Sequence, residues 1–340
     1  MSETPKRILE LYSGIGGMHY ASKAAKIGSF EVVFSVDVNN AANEVYRYNF
    51  PATNQQARNI VSLTAKEINK LKPDIIMMSP PCQPFTRTGL KLDVEDPRCA
   101  SFLHLLNIFP LLDTVQYVLM ENVVGFETSA MRNAFVETLG RCQFHFREFI
   151  LTPESLDIPN SRKRYYLIAR KPCAFPFGSE DHLLTAFPLD NPLIVSTFGK
   201  TLQSYLEISA AADEIRPYLV PERTLSKYCR IMDIRQKCDT SSCCFTKAYS
   251  HYAEGTGSVL QSNEHETVQE RFSRFETTHD ICELVPLGLR YFTPREVANL
   301  MEFPDSFNFP PSVSLKTRYR LLGNSLNVLV VSNLLNILMN

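Results

Sequence analysis

Three groups of side chains in this sequence stand where they could do covalent or acid–base chemistry. Cys82 lies in Pro80-Pro81-Cys82-Gln83-Pro84-Phe85, directly after the apolar run 74–78. A thiolate is a strong nucleophile, but an ordinary cysteine is only a few per cent ionised near pH 7. The three prolines fix backbone angles in advance, which helps to hold an attacking sulfur in place. The same residues would also describe a small buried thiol in a stiff loop, since cysteine is often buried. Glu121 ends the apolar run Leu119-Met120-Glu121-Asn122-Val123. It reads as a general acid, a role worth about 10²–10⁴-fold in rate, or as a surface carboxylate at a strand end. Arg162 and Arg164 alternate in Pro159-Asn160-Ser161-Arg162-Lys163-Arg164-Tyr165, so an extended chain points both to one side. Two guanidinium groups there could hold a phosphate, a base or Glu121.

A second group could bind a nucleoside. Leu11-Tyr12-Ser13-Gly14-Ile15-Gly16-Gly17-Met18 runs from a strand through a glycine turn into a helix. Glycines allow close approach of the backbone, and a helix start offers free N–H groups. Val36-Asp37 ends the next strand, where a carboxylate can hold ribose hydroxyls. The spacing is Gly-x-Gly-Gly rather than the Gly-x-Gly-x-x-Gly of dinucleotide enzymes, which favours a different adenosine ligand. Near the C-terminus, Gly323-Asn324-Ser325 reads as a helix start with Ser325 as N-cap.

The elements that must position these residues follow from hydropathy. Strands are expected over 7–12, 31–36, 74–78, 117–120 and 164–169, and helices over 18–26, 41–48, 102–112 and 131–139. Thr64-Ala65-Lys66-Glu67 and Thr293-Pro294-Arg295-Glu296 have the form of capping boxes. The alternation predicts an α/β fold, a doubly wound sheet whose ligands lie beyond the carboxyl ends of the strands. It stops near residue 172. We therefore expect a catalytic and cofactor-binding domain over 1–172 and a smaller second domain over 173–288. A segment over 289–340, ending in an apolar helix over 325–339, should return to the first domain. A helix over 223–231 in the second domain places Arg223, Lys227 and Arg230 on one face.

Composition narrows the classes. The chain has 340 residues, 44% hydrophobic and 21% charged, with a net charge of −1. A nucleic-acid site must then be a local basic patch. No apolar run approaches 18 residues, and Met-Ser-Glu-Thr-Pro-Lys-Arg lacks a signal-peptide core, so a cytoplasmic location is expected, with the nucleus also open. The nine cysteines are expected to be reduced thiols. Those between Cys229 and Cys244 fit no common zinc spacing, so no metal is expected.

Taken in order, the glycine turn, the acidic strand end, Pro-Pro-Cys-Gln, Glu-Asn-Val, the paired arginines and Gly-Asn-Ser resemble the cytosine-5 methyltransferase family over nearly the whole chain outside the second domain. Cys243-Cys244-Phe245-Thr246-Lys247, with Tyr252-Ala253-Glu254-Gly255-Thr256-Gly257-Ser258, is similar to that family's tRNA-methylating branch. The resemblance implies a Rossmann-like methyltransferase sheet with a target-recognition domain, S-adenosylmethionine as cofactor and S-adenosylhomocysteine as its product. It implies Cys82 as covalent nucleophile, Glu121 at ring N3, and Arg162 and Arg164 orienting Glu121 and the base. The cofactor would lie over Ser13, Gly14, Ile15, Gly16 and Gly17, with its ribose on Asp37 beside Val38. Ile60 and Val61 would flank the adenine, and Ser79, Asn324 and Ser325 would close the pocket. The expected partner is tRNA, in particular the anticodon loop of tRNA-Asp. Arg223, Lys227, Arg230 and Lys247 would meet phosphates, and Tyr249 and Tyr252 would stack on bases. Asn160 and Asp37 stand where many DNA-methylating members carry Gln and Glu. A DNA cytosine-5 methyltransferase and a catalytically idle RNA-binding module of the same fold remain the alternatives.

Overall fold

The computed structural model describes residues 4–81, 100–180, 182–188, 192–207 and 212–340. Eight strands form one sheet: β1 (Lys6–Leu11), β2 (Phe30–Asp37), β3 (Gln55–Ala57), β4 (Ile75–Met78), β5 (Tyr117–Val123), β6 (His145–Leu151), β7 (Arg164–Arg170) and β8 (Leu183–Leu184). Their order is β3-β2-β1-β4-β5-β7-β6-β8. All run parallel except β7, which is antiparallel to both neighbours.

The central strands read as continuous apolar runs because they are buried on both faces. Ile8, Ile75, Met77 and Leu119 enter one core, whereas Leu9, Leu11, Ile76, Met78, Val118 and Met120 enter the other. Each such aliphatic side chain contributes roughly 1.5–3 kcal/mol of burial free energy. Helices Gly17–Ala24, Asn40–Asn49 and Val328–Met339 cover the first face. Helices Ala65–Leu71, Ala100–Ile108 and Ala130–Arg141 cover the second. Both expected capping boxes form, at Thr64–Glu67 and at Thr293–Glu296.

The last helix begins later than the sequence suggested. Asn327, not Ser325, is its N-cap, accepting the Val330 N–H at 3.0 Å. Its apolar composition reflects the core it fills. Asn336 Oδ1 accepts the N–H groups of Lys26 and Ile27 at 2.8 and 3.2 Å, fixing the helix to the end of Gly17–Ala24. The stretch Leu315–Met339 contains an 18-residue window apolar enough to cross a membrane, but 83% of that window is buried inside the protein.

A second sheet, ordered β11-β10-β9, comprises β9 (Asp233–Arg235), β10 (Ser258–Gln261) and β11 (Leu289–Tyr291). Its third strand thus lies beyond the expected boundary at 288. Phe245, Tyr249, Val259 and Leu287 share one continuous core with Phe292, Tyr319 and the covered face of the large sheet. The helix expected over 223–231 forms as Glu222–Tyr228, followed by a 3-10 turn over Cys229–Ile231.

Candidate active site

Strand order reverses between β1 and β4, and a cavity of about 350 Å³ opens at their carboxyl ends. Ligand crevices of doubly wound sheets lie at this position, and their volumes are usually about 300–1,000 Å³.

The glycine turn forms one wall. Ser13, Gly14, Ile15 and Gly17 line the cavity, while Gly16 supports the turn from behind. Gly16 has φ +87°, and a Cβ there would stand 2.6 Å from the Phe50 ring, so a side chain would force the turn off its support. Ser13 Oγ is buried with no hydrogen-bond partner among the described residues.

Asp37 ends β2 at the same mouth. Its carboxylate accepts the Gly14 N–H at 2.9 Å and the Asn39 N–H at 2.7 Å, tying strand, turn and helix start together. Burial pushes this carboxyl up, and the N–H groups of Asn39, Gly14 and Val38 hold it back. Val38 lies beside it, apolar and 66% exposed. Across the crevice, Ser79 Oγ donates to the Tyr12 carbonyl at 3.0 Å. Pro80 and Pro81 continue that wall. Cys82 follows them in the chain and lies outside the described residues.

The acidic corner comes from β5 and β7. Glu121 is buried, and Arg164 Nε lies 3.4 Å from its Oε1. Burial raises the Glu121 carboxyl, with Arg164 and then Arg162 opposing that rise. The two arginines have different partners. Arg162 donates to the carbonyls of Phe245 at 3.1 Å, Gly323 at 3.0 Å and Ser325. Asn324 and Ser325 complete the cavity, and Lys247 reaches it from the connection between β9 and β10.

Several residues singled out in the sequence lie elsewhere. Ile60 packs into the second core and Val61 is exposed; neither lines the cavity. Arg223, Lys227 and Arg230 are also absent from its lining. Arg230 pairs with Glu276, and Lys227 Nζ sits 5.0 Å from the centroid of the Tyr228 ring. Tyr252 is 63% exposed, but Tyr249 is a core residue. Its hydroxyl donates to the Ser258 carbonyl at 2.6 Å and accepts the Phe292 N–H at 2.8 Å, so its ring is not free to stack on a base. The sequence reading missed Tyr12, Asn39, Asn122 and Leu326, all in the lining. Lys316 and Arg320 make an exposed i, i+4 pair of cations on helix Leu315–Gly323, whose last residue lines the cavity.

A parallel sheet with one reversed strand, a glycine turn facing an acidic strand end, and a buried glutamate beside two arginines together define an α/β methyltransferase architecture. The family model for C-5 cytosine-specific DNA methylase matches residues 6–340, and the chain belongs to that family. It is 47% identical to a Spodoptera frugiperda tRNA (cytosine(38)-C(5))-methyltransferase, over 98% of each chain. It is 41% identical to the Homo sapiens protein of the same name, over 98% of this chain and 99% of that one. The crystal structure of the Schizosaccharomyces pombe Dnmt2 methyltransferase superposes with a TM-score of 0.82 at 38% identity, over 99% of this chain and 98% of that one.

Proposed function

We propose that this enzyme methylates carbon 5 of a cytosine in the anticodon loop of tRNA, with tRNA-Asp as substrate, Cys82 as nucleophile and S-adenosylmethionine as cofactor. The observation that carries this reading is the convergence of the glycine turn, Asp37, Ser79, Glu121, Arg164 and Lys247 on one cavity. The relatives named for cytosine 38 of tRNA support the substrate and the position.

The residues present fit the cofactor. Asp37 offers a carboxylate in the cavity wall, Val38 an exposed apolar face for a purine, and Ser13 a buried hydroxyl without a partner among the described residues. When bound, S-adenosylmethionine supplies a methyl group carried on a sulfonium sulfur. The chain's own residues make the cytosine reactive. The Cys82 thiolate adds to carbon 6, and the electrons of the 5,6 double bond move to carbon 5, which becomes nucleophilic. Glu121 gives a proton to ring N3 as negative charge builds there. Arg164 holds Glu121 across the strand pair. After methylation the carbon 5 proton passes to water, the Cys82 sulfur leaves as thiolate, and N3 returns its proton to Glu121, which restores the ring and the acid.

The target base must leave its stack, at a cost of a few kcal/mol in a duplex and less in a loop. Lys247 at the cavity mouth offers a cation for a phosphate, and Tyr252 offers a stacking face. The test is bisulfite sequencing of tRNA after reaction with protein and cofactor. Protection of one anticodon-loop cytosine in tRNA-Asp is expected. Methylation of duplex DNA alone, with tRNA untouched, would overturn the reading.

A further inference from the structure

Arg162 does not bond to its neighbour Glu121 but holds two other parts of the molecule. Its guanidinium takes the carbonyls of Phe245 from the second domain and of Gly323 and Ser325 from the C-terminal segment. Cys244 Sγ is a further contact at 3.4 Å. The residue is only 2% exposed. A guanidinium presents its donors in a fixed fork, so one side chain can register three backbone segments at once.

Two independent contacts hold the same segment. Asn160, fully buried, donates through Nδ2 to Ser242 Oγ at 3.1 Å and to the Cys243 carbonyl at 3.0 Å. Ser242 Oγ donates back to the Pro159 carbonyl at 2.6 Å. On the other side, Gly323 lies flat against the backbone of Thr246 and Lys247. A Cβ at Gly323 would stand 2.2 Å from Lys247 N and from the Thr246 carbonyl carbon.

We infer that Arg162 is a positioning residue that welds residues 243–247 of the second domain to the catalytic sheet, making this recognition segment a fixed wall of the reaction cavity. The segment carries Lys247 at the cavity mouth, so the weld sets where that ammonium stands before RNA arrives. Fixing it in advance spares the complex the cost of ordering it on binding. A fixed wall also cannot part to admit paired, stacked bases, so it favours a nucleotide already splayed from a loop. That last consequence rests on the proposed function; the weld itself does not.

Hydrogen exchange of the free protein tests the weld without RNA or turnover. In Arg162→Lys, a single ammonium replaces the fork. Amides of 243–247 and 323–325 should exchange about 10- to 100-fold faster, while β1 and β4 keep their wild-type protection. Asn160→Asp, outside the cavity lining, removes both Nδ2 donors and should give the same regional pattern. With tRNA, Arg162→Lys should raise KM more than it lowers kcat. If both variants exchange like wild type at 243–247, or both accelerate uniformly across the sheet, the weld is not the role of Arg162. A fall in kcat with unchanged exchange would assign the residue to the chemistry instead.

Discussion

Arg164 Nε lies 3.4 Å from Glu121 Oε1, and the two residues occupy diagonal positions on the antiparallel pair β5 and β7. Arg164 sits directly opposite Val123, two residues from Glu121, so both side chains leave the same face of the sheet. This one reversed strand pairing puts a cation beside a buried acid at the carboxyl end of β5. Burial favours the neutral acid and the arginine favours the carboxylate, which leaves the group able to exchange a proton.

Glu121→Gln should therefore lower kcat by about 10²–10⁴-fold with cofactor affinity intact. Arg164→Ala should allow the carboxyl to rise further. If the protonated acid is the active form, the basic limb of the kcat profile moves to higher pH as the maximum falls. A limb that stays in place or moves down would remove Glu121 from the acid role.

Asp37 joins β2 to the glycine turn through Gly14 and to the following helix through Asn39. Asp37→Ala loses both contacts and the charge. Hydrogen bonds to a charged group contribute about 1.5–3 kcal/mol, so cofactor affinity measured by calorimetry should fall roughly 10- to 100-fold. Unchanged affinity would place the ribose elsewhere.

Most of the large sheet was legible because its central strands are short apolar runs ended by turns. Asp37 and Glu121 were legible as residues that end such elements, whereas Ser79, Asn324 and Ser325 came from the family resemblance alone. β6 was not, because Arg147 and Glu148 interrupt its apolar pattern, and both are buried with partners that no local pattern reveals. Tyr249 was misplaced for a related reason. An aromatic two residues from a lysine looks the same in sequence whether its hydroxyl meets solvent or, as here, two backbone groups. The partners of Arg162 lie 83 and 161 residues away in the chain, and Arg164 meets Glu121 on a different strand, beyond the reach of any spacing argument.

Glu10 on β1 is fully buried. Its Oε2 accepts the Tyr46 hydroxyl at 2.7 Å, and the hydroxyl oxygen of Tyr46 in turn lies 2.8 Å from His19 Nδ1. Burial pushes the Glu10 carboxyl from 4.5 to about 8, against the bonds from Tyr46 and the His19 N–H, with Asp37 adding repulsion. A carboxyl raised on folding stabilises the fold fully below its unfolded value. That contribution, roughly 5 kcal/mol at most, shrinks as pH rises from 4.5 and is gone above about 8. Glu10→Gln should flatten the dependence of unfolding free energy on pH across this window. A wild-type profile already flat there would contradict the account.

Tyr252 and Tyr249 separate surface from core. Tyr252→Ala should weaken tRNA binding by about 1–3 kcal/mol if a base stacks on it, with little change in melting temperature. Tyr249→Phe should lower stability and leave RNA affinity near wild type. Lys247→Ala should reduce the slope of log affinity against log salt by roughly 0.7. Equal effects of the two tyrosine variants on RNA binding would overturn this assignment.

Incorporating 5-fluorocytosine at the target position of the anticodon loop tests the covalent step itself. Fluorine cannot leave as a proton does, so the enzyme should remain bound to the RNA in a denaturant-resistant complex that requires cofactor. Peptide mapping should place the bond on Cys82, and Cys82→Ala should bind cofactor yet form no complex. An adduct on another cysteine, or turnover of natural tRNA by Cys82→Ala, would contradict the mechanism.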